Sequence, residues 1–144
     1  MKKAALICFL IFYIIFIVSC SNPKVKNQLL DGTYESESRA QYINEPYWGQ
    51  CRIIITNGEI AEFEFRIIDK SCNQIFDENY EKHFAGNAIY INQCRNDLKG
   101  LKEYINRFVE TRDLNKIDAV SGATWSYNIF RDTVTKTLEK ASKK

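Results

Sequence analysis

The Asn57-Gly58 pair constrains the fold of this chain more than any other feature of its sequence. It separates two short runs in which apolar and polar residues alternate, residues 51–56 (CRIIIT) and residues 60–67 (IAEFEFRI). Such alternation is typical of half-buried β-strands, and Asn-Gly between two strands is the strongest short-range signal for a hairpin. The sequence therefore predicts an antiparallel hairpin over residues 51–67.

The length of the hairpin loop decides which side chains face the core. A two-residue loop would place Ile53 opposite Glu62, an apolar residue against a charged one. A three-residue loop that ends at a left-handed Gly58 instead pairs Ile53 with Ala61 and turns Cys51 toward the core. Because a shift of one residue moves every side chain to the other face, we expect the three-residue loop.

The rest of the chain indicates strands first and helices later. Residues 33–36 (TYES) fit a first strand, and residues 87–91 (NAIYI) fit either a short strand or a helix. Apolar residues then recur at helical spacing in a segment from near Asn96 and in a closing helix from near Trp125 to near Lys140. This order predicts one α+β domain, an antiparallel sheet packed by C-terminal helices. The apolar positions of the two helices are Leu98, Leu101, Ile105 and Phe108, with Val109 beside them, and Phe130, Val134 and Leu138.

A signal segment precedes this domain. Lys2 and Lys3 are followed by an apolar run over residues 4–18, which is short for a membrane-spanning helix and typical of a secretory signal. Residues 17–20 (IVSC) resemble the lipobox of bacterial lipoproteins, in which the cysteine is lipidated and becomes the first mature residue. The alternative is an uncleaved anchor helix, and both place the rest of the chain outside the cytoplasm, on a membrane. We predict a cleaved signal at 1–19, a spacer at 20–30 lipidated on Cys20, and a domain at 31–142.

The charge balance excludes one broad class of partner. The whole chain has 20 basic and 18 acidic residues, and two of the basic ones, Lys2 and Lys3, lie in the signal. The predicted mature protein is therefore balanced in charge, whereas nucleic-acid-binding domains carry a basic excess. We expect no nucleic-acid partner.

The cysteines predict one disulfide. Cys51, Cys72 and Cys94 remain after the signal and the lipidated cysteine are set aside, and an odd count outside the cytoplasm suggests one bridge and one free thiol. The hairpin turns Cys51 inward, so we expect Cys72 to pair with Cys94. A zinc site is not expected, because His83 is the only histidine and no Cys-x-x-Cys spacing occurs.

Residues 118–126 (DAVSGATWS) form the segment with the clearest chemical content. They precede the closing helix, and a helix start presents free backbone N–H groups that suit an anion. Gly122 allows the backbone to approach a ligand closely, while Ser121 and Thr124 add hydroxyl groups. The same composition also describes an ordinary capped helix, and physical reasoning alone favours the cap because caps are common.

The stretch DAVSGAT, residues 118–124, resembles the motif of the FMN-binding domain family found in flavin-carrying subunits of bacterial sodium-pumping and ferredoxin-linked electron-transfer complexes. The DGTY of residues 31–34 and the Asn-Gly hairpin resemble the N-terminal half of the same family. The resemblance covers the chain from Asp31 to about Lys140. It implies that FMN is attached to Thr124 through a phosphoester, which a separate flavin transferase forms from FAD.

The resemblance also assigns roles to the neighbours of Thr124. Asp118 would be read by the transferase or would orient the loop. Trp125 is bulkier than the aliphatic residue that the family usually has there, but its position beside Thr124 makes it a candidate to stack on the flavin ring, with ordinary packing as the alternative. Because one domain offers no evident site for a second substrate, we expect an electron carrier, with unidentified donor and acceptor, rather than a stand-alone enzyme. The alternative is a cell-surface binding lipoprotein of the same fold without flavin. The residues expected to shape the turn and line the phosphate are Ser121, Gly122 and Ala123.

Overall fold

The computed structural model describes residues 29–142, which form an antiparallel sheet covered by two helices. The four strands lie in chain order across the sheet. The C-terminal helix packs against the first two strands, and the other helix packs against the C-terminal helix. This arrangement confirms the predicted single α+β domain. The strands are β1 (Gly32–Ser38), β2 (Tyr47–Thr56), β3 (Glu59–Asp69) and β4 (Gln74–Ile75); the helices are α1 (Ala88–Thr111) and α2 (Thr124–Ala141), with 3-10 turns at Tyr80–Phe84 and Leu114–Lys116.

The predicted hairpin is present, but the predicted loop is wrong. Thr56 pairs directly with Glu59, so the loop holds only Asn57 and Gly58, with φ angles of 55° and 74°. Positive φ at both positions is what a two-residue loop of type I′ requires, and the twist of such a turn matches that of the strands. The left-handed conformation expected for Gly58 is confirmed.

A β-bulge restores the faces that the shorter loop would have inverted. The register shifts after Ile55, which pairs with Ile60, while Ile54 pairs with Glu62 and leaves Ala61 as the extra residue. Ile53 consequently lies opposite Phe63 rather than Ala61, and apolar residues meet across the strands. The extra residue Ala61 in β3 thus brings the apolar side chains to one face, which the predicted three-residue loop would also have done.

We expect Gly58→Val to destabilise the domain by about 1–2 kcal/mol, because a β-branched residue at a φ of 74° is strained. Asn57 has a φ of 55° and tolerates it better, since asparagine is enriched in this region. Thermal unfolding of Gly58→Val beside Asn57→Gly, the matched control at the neighbouring position, measures the difference. Equal melting temperatures in wild type and Gly58→Val would contradict the observed turn.

The two helices supply the other half of the core. Leu101 and Phe108 of α1 are buried, as are Phe130 and Val134 of α2, which confirms the centre of each predicted apolar stripe. At the other predicted positions, Val109 is exposed, and the residues partly buried against the core are Leu98, Ile105 and Leu138. Helix α1 begins at Ala88, earlier than the periodicity indicated, which resolves residues 87–91 as the N-cap and first turn of a helix. The described residues contain no helix that is long and apolar enough to cross a membrane.

The N-terminal boundary of the domain lies slightly earlier than predicted. Leu29 forms an isolated bridge with Ser142, and the amide of Leu30 donates to the carbonyl of Ala141 over 2.8 Å. The last two residues of the predicted spacer at 20–30 therefore belong to the fold. The predicted signal at 1–19 and the lipidation site Cys20 lie outside the described residues.

The predicted disulfide between Cys72 and Cys94 is absent, and the three cysteines of the described residues are free. Cys72 is exposed in the turn after β3, and Cys94 is half-buried on α1. Cys51 faces the core as expected, and burial raises the pKa of its thiol to about 11. A thiol with such a pKa stays protonated near neutral pH and is a poor nucleophile.

Candidate functional site

The segment before α2 begins with a tight turn. The amide of Ala123 donates to the carbonyl of Val120 over 3.0 Å, and Gly122 has a φ of 79°. A Cβ added at Gly122 would meet nothing closer than the Asn96 side chain at 3.6 Å. The glycine is therefore needed for its left-handed backbone, and the space around it stays open.

Thr124 is the first residue of α2, and its side chain is exposed as predicted. The N-cap position belongs to Ala123, which is buried and supplies no side-chain hydrogen bond. The helix is therefore not capped by a serine or threonine of this segment, which was the alternative interpretation. Asp118 and Ser121, the other polar residues of the motif, are also exposed.

A carboxylate from the other helix performs the capping. Asp97 on α1 is 2% exposed, and its Oδ1 accepts a hydrogen bond from the Ser126 amide over 3.2 Å. The hydroxyl of Ser126 lies 3.0 Å from the same oxygen. Gln93, one turn earlier on α1, donates from Nε2 to Asp97 Oδ2 over 2.5 Å and to the Gly122 carbonyl over 3.2 Å.

Two further residues of α1 hold the same segment, Tyr104 by hydrogen bonds and Gly100 by close packing. The Tyr104 hydroxyl donates to the Ala123 carbonyl over 3.1 Å and accepts from the Val120 amide over 2.8 Å. Burial raises the pKa of this phenol, so it remains neutral and can do both. At Gly100 an added Cβ would lie 2.3 Å from the Ala123 Cβ, so only glycine permits this approach.

These contacts reduce the number of backbone amides that could bind an anion at the start of α2, where the sequence predicted such a site. The Ser126 amide is already bonded to Asp97, and the Tyr127 amide makes the first bond of the helix, to the Ala123 carbonyl. The first turn of α2 therefore leaves only the amides of Thr124 and Trp125 without an acceptor. An acidic side chain beside them disfavours a free phosphate, so this helix start is a weak anion site.

Trp125 lies against a cluster of aromatic rings. Its ring is half-buried and meets Tyr47 and Phe76 edge-on, with centroids 5.1 and 5.2 Å away. Its Nε1 donates to Glu45 Oε2 over 2.8 Å, which fixes the indole beside the motif. Trp125 and Tyr47 therefore form a packed aromatic wall, at the position that follows Thr124 in the sequence.

The structure brings together only some of the aromatic residues near the motif. Trp48 lies apart on the sheet, with the Arg39 guanidinium 4.5 Å and the Lys70 ammonium 4.0 Å from its ring centroid. Tyr127 packs edge-on against Tyr104, with centroids 5.3 Å apart. Neither joins the wall that Trp125 forms with Tyr47.

The base of the aromatic cluster is fixed by a buried carboxylate at the end of β3. Asp69 is 5% exposed, and the Tyr80 hydroxyl donates to its Oδ2 over 2.5 Å and lies 3.1 Å from the Tyr47 hydroxyl. Burial acts to raise the pKa of Asp69, but hydrogen bonds from Ser71 and Tyr80 outweigh it and lower the pKa to about 2. The carboxylate therefore stays ionised and holds these tyrosines in place at neutral pH.

The motif lies on an open surface. One groove crosses the polar face of the sheet beside Arg52 and Arg66, and another follows the outer side of α1 beside Arg95 and Lys102. Neither includes residues 118–126. This segment therefore offers an exposed hydroxyl on Thr124, followed in the sequence by the half-buried ring of Trp125.

Sequence reasoning missed the four residues of α1 that hold the motif. They occupy positions 93, 97, 100 and 104, which lie on one face of a helix. A signal was present, because Asp97 stands four residues before Leu101 in the apolar stripe, and an acidic residue there needs a buried partner.

Comparison with known proteins shows one structural likeness. No protein-family model and no curated protein matches the chain. The crystal structure of the CPE2226 protein from Clostridium perfringens is 25% identical in sequence, with a TM-score of 0.53. The match covers 78% of this chain and 88% of that one. It supports the observed fold across most of the described domain.

Proposed function

We propose that this protein is a membrane-tethered, extracytoplasmic flavoprotein that carries FMN covalently on Thr124 and transfers electrons. The observation that carries the proposal is the exposed threonine at the first position of α2, directly after the Gly122 turn, within the sequence DAVSGAT. A hydroxyl so placed is accessible to a second protein, as a substrate of a flavin transferase must be.

The residues around Thr124 fit a covalently attached flavin better than a free one. The space beside Gly122 is open, and the amides of Thr124 and Trp125 are available to phosphate oxygens. Trp125 offers its ring as a wall for an isoalloxazine. Asp97 weakens the site for a free anion, but a covalent bond keeps the flavin in place whatever its non-covalent affinity.

Attachment is a group transfer in which Thr124 is the acceptor. Its Oγ1 forms a bond to the phosphorus of the FMN half of FAD, the pyrophosphate bond breaks, AMP leaves, and the hydroxyl proton passes to a base. A threonine hydroxyl is a poor nucleophile unaided, so the transferase must supply that base and a divalent metal. Once bound, the flavin supplies the electron-transfer chemistry, while this chain holds it at a fixed place.

A cell-surface binding lipoprotein without flavin is the second candidate. The carboxylate of Asp97, which lies beside the start of α2 and accepts from the Ser126 amide, favours it because a negative charge there disfavours a phosphate. Co-expression with a flavin transferase separates the two candidates. A flavoprotein stays yellow after denaturation and precipitation, and its gel band fluoresces, whereas a binding lipoprotein stays colourless.

We expect Cys20→Ala to yield a larger, unprocessed precursor, because the cysteine that closes IVSC is proposed to be both lipidated and the first mature residue. Immunoblotting of membrane and soluble fractions measures size and location. Cys8→Ala, which changes another cysteine of the same segment, is the matched control and should be processed normally. Normal cleavage and release of Cys20→Ala would contradict lipidation.

A further inference from the structure

We propose that Gln93 and Asp97 form a clamp that positions Thr124 for transfer of the flavin phosphate, an inference that rests on the proposed function. Both residues lie on α1, and neither belongs to the DAVSGAT motif. They act on the acceptor through its backbone neighbours. They are positioning residues, whereas Thr124 alone forms the bond.

The clamp holds the chain on both sides of the acceptor. Gln93 Nε2 donates to the carbonyl of Gly122, two residues before Thr124, over 3.2 Å. Asp97 Oδ1 accepts from the amide of Ser126, two residues after Thr124, over 3.2 Å. A 2.5 Å hydrogen bond from Gln93 Nε2 to Asp97 Oδ2 joins the two arms.

The acceptor segment needs such a restraint. Tyr104 and Gly100 hold the turn at Val120 and Ala123. Gly122 between them is exposed and left-handed, and a Cβ added there would meet nothing nearer than the Asn96 side chain at 3.6 Å, so packing restrains this part of the turn less. Ala123 supplies no side-chain cap to α2. A loose acceptor would have to be ordered at each encounter with the transferase, and that ordering slows transfer. The clamp therefore orders the segment in advance while the Thr124 hydroxyl remains exposed.

The two arms can be separated by substitution. Gln93 is exposed, so Gln93→Ala should fold while losing the Gly122 arm. Asp97→Asn keeps an oxygen for the Ser126 amide, but its new NH₂ group meets the NH₂ group of Gln93, so the junction breaks. Asn92→Ala changes an exposed neighbour of Gln93 and is the matched control.

The measurement is the initial rate of flavin transfer at increasing acceptor concentration, with one transferase and FAD in excess. We expect kcat/KM to fall about 10- to 100-fold in Gln93→Ala and in Asp97→Asn, as for a reacting group displaced by about 1 Å. Asn92→Ala should match wild type. Gln93→Glu should not restore the rate, because a carboxylate cannot donate to the Gly122 carbonyl.

A double variant tests whether the residues act as one unit. If they form a single clamp, the Gln93→Ala, Asp97→Asn double variant should be no slower than the slower single variant. Losses that multiply would overturn the clamp. Hydrogen exchange gives a second readout, because the Ser126 amide should exchange faster in Gln93→Ala while amides in the middle of α2 stay protected.

These outcomes distinguish the clamp from the proposed function. Wild type that accepts no flavin from an active transferase would refute the function, and unchanged Ser126 exchange in Gln93→Ala would still refute the clamp. Wild type and Gln93→Ala flavinylated at equal rates would refute the clamp and leave the function standing.

Discussion

Thr124→Ala should abolish covalent flavin attachment while leaving the melting temperature nearly unchanged. The substitution removes the only oxygen to which the flavin phosphate is proposed to bond. It should not disturb the fold, because Thr124 is exposed and the cap of α2 comes from Asp97 through Ser126. Alanine is also the best helix former, which favours the variant slightly at the first helical position.

The measurement is made after co-expression with a flavin transferase. Wild type should gain the mass of one FMN less one water and give a fluorescent band on a denaturing gel, and Thr124→Ala should show neither. Thr124→Ser, which keeps a hydroxyl at the same position, is the matched control and should retain flavin. Flavin that survives denaturation in Thr124→Ala would place the attachment elsewhere and refute the proposal.

Gly100→Ala should produce the largest loss of stability among single methyl additions to α1. Its Cβ would lie 2.3 Å from the Ala123 Cβ and 3.1 Å from the Tyr104 hydroxyl oxygen. Overpacking costs about 1–3 kcal/mol or more, while the gain in helix propensity offsets about 1 kcal/mol. Both neighbours belong to the buried junction between α1 and the motif, so we expect a net loss of about 2 kcal/mol. Thermal unfolding should record a fall of about 10 °C.

Gly49→Ala provides a control of similar strain at a different place. Its Cβ would lie 2.4 Å from Thr133 Oγ1 and 2.7 Å from Ile129 Cγ2, between β2 and α2 and away from the motif. Both variants should therefore melt early, but only Gly100→Ala should also lose flavin transfer at a temperature where both are folded. A Gly100→Ala protein that melts like wild type would show that α1 and the motif are not in contact.

Local sequence identified the hairpin because Asn-Gly and alternating faces are properties of neighbouring residues. It did not identify the loop length. An extra residue in the loop and an extra residue in β3 restore the same faces, and the structure uses the second, at Ala61. The choice depends on how β3 packs against β2 and the helices, which alternation along one strand does not encode.

The disulfide prediction failed for a related reason. The count of cysteines and the inward face of Cys51 left Cys72 and Cys94 as a pair, but pairing requires that two Cβ atoms meet in space. Cys72 lies in a turn after β3 and Cys94 on α1, and the two thiols remain free. The number of cysteines shows which residues could pair, but it gives no information on how far apart they lie in the fold.

The sequence by itself determined the order of strands and helices, the inward face of Cys51 and the position of Thr124 at the start of the last helix. Each follows from residues within a few positions of one another, where periodicity and turn chemistry act. Only the tertiary structure decided that Ala123 supplies no cap, that Asp97 caps α2 from another helix, and that Gln93, Gly100 and Tyr104 hold the motif. Those contacts join residues 16 to 29 positions apart, and contacts across such separations form only where packing brings α1 against the segment that leads into α2.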